Sequence, residues 1–170
     1  HIDASVEQLQ AANVRGPGSE WLGLAYTRLG QINERLSNDA EAEKHFRTSF
    51  ELLKPLGREN RFEAGAGLVR AMARTGRADE AGEALEQLRQ LRPDLYGMSV
   101  ILETEGYLSH LTDPAAGAEK YAQAFTYLRM VALPFQILRF CTDAPFELPG
   151  CRAAGHDQGN AASATDEGPG

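Results

Sequence analysis

Apolar residues recur along this chain at spacings of three and four, the periodicity of amphipathic helices. The clearest stretch is Phe62 to Pro93. Leu68, Val69, Met72 and Ala73 form one stripe, and Ala78, Ala81, Leu85 and Leu88 form a second. Between them Arg74-Thr75-Gly76-Arg77 reads as a turn, with Gly76 supplying the left-handed backbone position that ends a helix at low cost. Pro93 stops the second helix. Small residues at Gly65, Ala66, Ala71, Ala81 and Ala84 stand where two helices would touch. The pattern predicts a helical hairpin, which alone cannot bury its apolar face.

Similar patterns flank it. Upstream, Trp21, Leu22, Ala25, Leu29, Ile32 and Leu36 predict a first helix opened by Ser19. Ala42, Phe46, Ser49, Phe50 and Leu53 predict a second, opened by an Asn38/Glu41 capping box. Downstream, Leu95, Met98, Leu102 and Leu108 follow a cap at Asp94, and Gly117, Ala118, Tyr121, Ala124, Phe125 and Leu128 follow Asp113-Pro114. Ala42, Ala81 and Gly117, which open the three second helices, lie 39 and 36 residues apart. Residues 1–15 read as a helix with Ile2, Val6 and Leu9 on one face. Pro134 opens a last helix carrying Phe135, Ile137, Leu138, Phe140 and Cys141. From about Ala153 the composition predicts a disordered tail.

The run Gly76, Asp79, Glu80, Ala81, Leu85, Leu88 and Pro93, preceded by Leu68 and Met72, resembles a tetratricopeptide repeat (TPR). Gly65 and Val69 depart from that pattern, standing where the family often has a large aromatic and a small residue. Both spacings exceed the family's period of about 34 residues. With the Leu56-Gly57-Arg58-Glu59-Asn60 connector, they resemble the TPR arrays of large bacterial transcriptional regulators and signalling ATPases. The resemblance implies an all-α, right-handed α-solenoid of about three TPR-like hairpins with a terminal capping helix. The repeats would span 19–56, 60–93 and 94–132, with a cap at 134–150 and a tail at 151–170.

Composition narrows the function classes. A net charge of −7 argues against nucleic acid as the partner of this segment. No apolar run reaches the roughly 18 residues of a membrane span, and a cytoplasmic protein is expected. The chain starts at His1 in an amphipathic pattern, which suggests a segment of a longer protein. His1, His45, His110 and His156 share no metal-ligand spacing, so no metal or cofactor is expected. Cys141 and Cys151 can pair, but free thiols are the commoner state in such a chain. Gly65-Ala66-Gly67 lies inside a helical pattern and is not a phosphate loop. Glu103 and Glu105 lie in the first helix of the third repeat, and Glu105 falls near an apolar stripe, where it either pairs with an arginine of the neighbouring helix or lies at the edge of a groove. No acid–base or nucleophile constellation is legible, so a non-catalytic role is expected.

In TPR proteins the first helix of each repeat lines a concave groove that binds a peptide. The resemblance therefore implies groove residues at Thr27, Gln31 and Arg35 in the first repeat, and at Glu63, Arg70 and Arg74 in the second. Arg35, Arg70 and Arg74 would form a basic lining for a peptide carboxylate or an acidic side chain, unless Glu34, Glu59 and Glu63 neutralise them. Two roles follow: a scaffold binding a peptide or partner domain, or an internal coupling segment of a larger regulator. The second would self-associate through apolar ends at Ile2, Val6 and Leu9 and at Phe135, Leu138 and Phe140. The hairpin itself makes a prediction. Replacing Ala81 by Leu should overpack the helix contact and lower stability by about 1–3 kcal/mol, read by thermal melting.

Overall fold

A computed structural model describes residues 17–54, 59–132, 134–145 and 151, and the structural statements below concern these. They form seven helices and no strand: α1 (Pro17–Arg35), α2 (Asp39–Leu52), α3 (Glu59–Arg74), α4 (Ala78–Arg89), α5 (Leu95–His110), α6 (Pro114–Val131) and α7 (Pro134–Asp143). The chain is all-α among these residues, as the periodicity predicts. Each helix packs on the next in sequence, and α3 also packs on α1 and α5. Three-residue connections join α1 to α2, α3 to α4 and α5 to α6, so each pair must fold back on itself. The expected helix before residue 16, the connector at 55–58 and the tail beyond Cys151 lie outside the described residues.

Two of these turns are the same structure displaced by 39 residues. Asn38 N–H reaches back to the Asn33 carbonyl and Ser37 N–H to that of Glu34, while Arg77 N–H reaches Met72 and Gly76 N–H reaches Ala73. The paired bonds form a Schellman closure. Gly76 has the predicted left-handed backbone, with φ of 80°. Ser37 adopts it too, at 59°, without glycine's freedom. The expected Asn38/Glu41 capping box does not form. Asn38 lacks the extended backbone of a box, and its amide instead donates to Asn33 at 3.4 Å. Caps at Asp94 and Asp113 form as expected, the first accepting from Gly97 N–H at 2.7 Å and the second from Ala115 and Ala116. α1 already starts at Pro17, so Ser19 lies inside the helix and not at the expected N-cap position.

Bulky side chains set over glycines hold the layers together. The Phe46 ring of α2 is fully buried between Gly30 of α1 and Gly67 of α3. A Cβ added at Gly30 would lie 2.6 Å from the Phe46 Cδ1, and one at Gly67 would overlap the ring edge. Leu53 sits likewise over Gly23, and Tyr121 over Gly106. Gly65-Ala66-Gly67 is therefore a contact surface inside α3, with Leu88 over Gly65. Glycines also explain where the apolar stripe of α1 misleads. Its buried face runs through Leu22, Gly23, Tyr26, Leu29 and Gly30, whereas Trp21, Ile32 and Leu36 are exposed. Ala78 is exposed as well, while Ala81, Leu85 and Leu88 are buried as predicted.

The last helix covers more apolar surface than an open end would. Phe140 is buried against Tyr121 and Phe125, with ring centroids 5.9 and 5.8 Å away. The expectation that Phe140 belongs to an exposed apolar end is thus corrected, although Leu138 remains half-exposed. Cys141 is disulfide-bonded to Cys151, the pairing that the sequence left open beside the commoner free thiols. The wedge in the core gives a test. Gly30→Ala should lose about 1–3 kcal/mol, as overpacking does. Adding Phe46→Leu should recover part of that loss, a coupling that a double-mutant cycle in denaturant would read.

Candidate functional site

Residues of α1, α3, α5, α6 and α7 border two adjoining clefts. The larger, about 640 Å³, is bordered by Leu24, Thr27, Leu95, Tyr96 and Val131; the smaller, about 320 Å³, by Arg70, Arg74, Glu103, Tyr107 and Tyr121. Arg28, Gln31, Glu63 and Arg139 border both, so the two form one groove. The structure brings together all six residues singled out from the sequence. Thr27 lines the larger cleft, Arg35, Arg70 and Arg74 the smaller, and Gln31 and Glu63 both.

Their electrostatics differ from the expected basic lining. Arg70 is held by Glu34 through two bonds, Nε to Oε1 at 2.8 Å and Nη2 to Oε2 at 3.1 Å. Arg74 donates to Asp39 at 2.6 Å and to Glu34 at 3.0 Å. Both guanidiniums are therefore committed to carboxylates of α1 and α2, whereas exposed Arg35, and Arg28 which borders both clefts, make no ion pair among the described residues. Burial opposes the Glu34 charge, but Arg70 and Arg74 outweigh it and hold the carboxyl below its ordinary value. Thr27 is not free to face a ligand either. Its hydroxyl is buried, bonded to Ser49 at 2.7 Å and to the Gly23 carbonyl at 3.2 Å.

A second network ties α7 to the groove. Glu63 accepts hydrogen bonds from the Tyr96 hydroxyl and from Arg139 Nη2. Burial raises the Glu63 pKa, yet Arg139, Tyr96 and Arg70 together leave it below the ordinary value. Glu105 behaves as its sequence position requires. It is paired with Arg89 of α4 at 2.7 Å and Lys120 of α6 at 3.0 Å, on the outside of the groove.

Glu103, two residues earlier, faces the other way. Residues two apart do not share a helix face, so one carboxylate reaches α4 and α6 while the other borders the smaller cleft. Glu103 makes no hydrogen bond or ion pair among the described residues. Burial pushes its carboxyl up to about 7; Arg70 and Arg139 pull against this, and Glu63 and Asp143 add to it. Sequence reasoning gave no role to Glu103, Arg139 or Tyr96. The available signal was an acid and an arginine inside otherwise apolar helices.

Among the described residues no group of His, Cys, Asp or Glu could hold a metal ion. His45 stacks on Tyr26, at 5.8 Å between centroids, and lies 3.9 Å from Glu41. No protein-family profile, curated protein or solved structure matches the chain.

The Glu103 shift fixes a pH dependence. Its pKa is higher folded, about 7, than the unperturbed 4.5, so the native state binds more protons between these values. Stability through this group thus falls as pH rises across that window and levels off above it. Glu103→Gln should be more stable than the parent by about 1–3 kcal/mol at pH 8, with the gap nearly closed at pH 4. Urea unfolding at the two pH values measures it.

Proposed function

We propose that this chain is a TPR-like α-solenoid segment acting as a non-catalytic scaffold, which binds a peptide or partner segment in the groove between α1, α3, α5 and α7. The observation that carries this reading is the groove itself. Its combined clefts have the size of a ligand site, and apolar walls at Leu24, Leu95 and Val131 stand beside polar groups that can orient a main chain. Turns repeated at 39 residues and the contacts of α3 with both α1 and α5 support a stacked-hairpin arrangement.

A second reading rests on the outer side of α1. Trp21, Ile32 and Leu36 share one exposed face there, with Trp21 68% and Leu36 65% accessible. Such a line of apolar side chains favours an internal segment of a longer array, against which a further element packs. No helix among the described residues is long and apolar enough to cross a membrane. The Cys141–Cys151 bond favours an oxidising compartment over the expected cytoplasmic one, since cytosolic thiols are kept reduced.

Fluorescein-labelled random heptapeptide pools test the groove. Binding should raise their anisotropy, and Gln31→Trp, which fills the shared part of the clefts, should weaken it at least tenfold without changing the melting temperature. Absence of binding, or binding indifferent to that substitution, would contradict the groove reading. Light scattering over a concentration range tests the second reading, which predicts association that a Trp21→Glu/Leu36→Glu variant loses.

A further inference from the structure

One wall of the groove is too short to stand by itself. α7 supplies Gln136 and Arg139 to the larger cleft, and Arg139 and Asp143 to the smaller. Its ten residues fall short of the roughly 12–15 below which isolated helices are marginal in water, so it keeps its shape only while docked. The docking is concentrated in its second half. Phe140 is buried against Tyr121 and Phe125 of α6, and Arg139 donates to Glu63 of α3 at 3.3 Å. The next residue, Cys141, is bonded to Cys151, ten residues on. Both cysteines pack beside Phe140 in one apolar cluster, yet both are only partly buried, so a small thiol can reach the bond between them.

Building on the peptide-groove reading, we infer that the Cys141–Cys151 bond is a redox latch: oxidised, it keeps α7 in place as a wall of the groove, and its reduction by a dithiol frees α7 and releases a bound peptide. The exchange proceeds in two steps. One thiolate of the dithiol attacks a sulfur of the bond, forming a mixed disulfide and expelling the other cysteine as a thiolate. The second thiol then displaces the remaining cysteine, and the dithiol leaves as a cyclic disulfide, oxidised by two electrons. Its two protons end on Cys141 and Cys151.

Reduction acts where the other ties are made. Opening the loop restores to the chain the freedom that the bond had removed, beside Arg139 and Phe140. A freed α7 withdraws Arg139 from Glu63, and a peptide must then re-order the wall as it binds. Its affinity falls by the fraction of time that the wall is in place. The rest of the groove is held independently, by Phe46 between α1 and α3 and by Glu34 with Arg70, so the effect is confined to one wall.

The experiment uses the full chain and the labelled heptapeptide pools, before and after treatment with dithiothreitol, with hydrogen exchange read by mass spectrometry in the same two states. Reduction should weaken binding by about tenfold or more, and speed exchange of the α7 amides by a similar factor while those of α1 to α4 stay unchanged. A Cys141→Ser/Cys151→Ser variant should bind weakly with or without the reductant, which separates the latch from an effect of dithiothreitol itself. Binding that survives reduction, or α7 amides that exchange no faster, would overturn the latch while leaving the groove reading standing. So would exchange that quickens throughout the chain, the mark of a bond that merely stabilises the fold. Binding by neither state would overturn both readings. Should the variant fail to fold, the parent decides alone: removing the reductant and re-oxidising must restore binding, and binding that does not return would contradict the latch.

Discussion

Three helices meet on one ring. Phe46 of α2 lies against both Gly30 of α1 and Gly67 of α3, and neither contact tolerates a side chain where the glycine stands. Because interiors are close-packed, this ring fixes how closely the first two pairs of helices approach. It thereby sets the distance between the opposite walls of the groove, with Gln31 on α1 facing Glu63 and Arg70 on α3. The same device recurs where Tyr121 presses on Gly106 and joins α5 to α6.

Once the walls are this close, charges along them must pair or lose hydration without compensation. Most pair across helices. Glu34 with Arg70 and Arg74 joins α1 to α3, Glu63 with Arg139 and Tyr96 joins α3 to α7 and α5, and Glu105 with Arg89 and Lys120 joins α5 to α4 and α6. Such pairs contribute modestly to stability, because desolvation offsets much of their attraction, but a half-made pair is strongly unfavourable. They therefore specify register more than they strengthen the fold. Against that background an unmatched acid is informative, since perturbed, unpaired groups in clefts concentrate where ligands bind.

Helix positions were legible in the sequence because they follow from local spacing, whereas the residues of α1 and α3 that border the clefts were singled out only through the resemblance to TPR proteins. Gly76, Asp94 and Asp113 mark helix ends by the chemistry of single residues, and the structure keeps all three. Positions whose meaning depends on a distant partner were not legible. Gly30 and Gly67 read as gaps in a stripe until Phe46 fills them, which is why Ile32 and Leu36 were placed inside α1's buried face and are not. Arg70 and Arg74 border the smaller cleft, but their charge is spent on Glu34 and Asp39, partners about 35 residues away. Arg139 lies 76 residues from Glu63, beyond any spacing argument.

The surroundings of Glu103 combine groups from α3, α5 and α7, so its ionisation reports on the packing and on the groove together. The most direct measurement is a pH titration of the side-chain carboxyl carbons by NMR, with Glu103 assigned through its glutamine variant. One glutamate titrating near 7, with Glu34, Glu63 and Glu105 all below 4.5, is the predicted result. A Glu103 carboxyl that titrates with the ordinary glutamates would mean that α3 and α7 do not close around it, and the groove described here would be wrong.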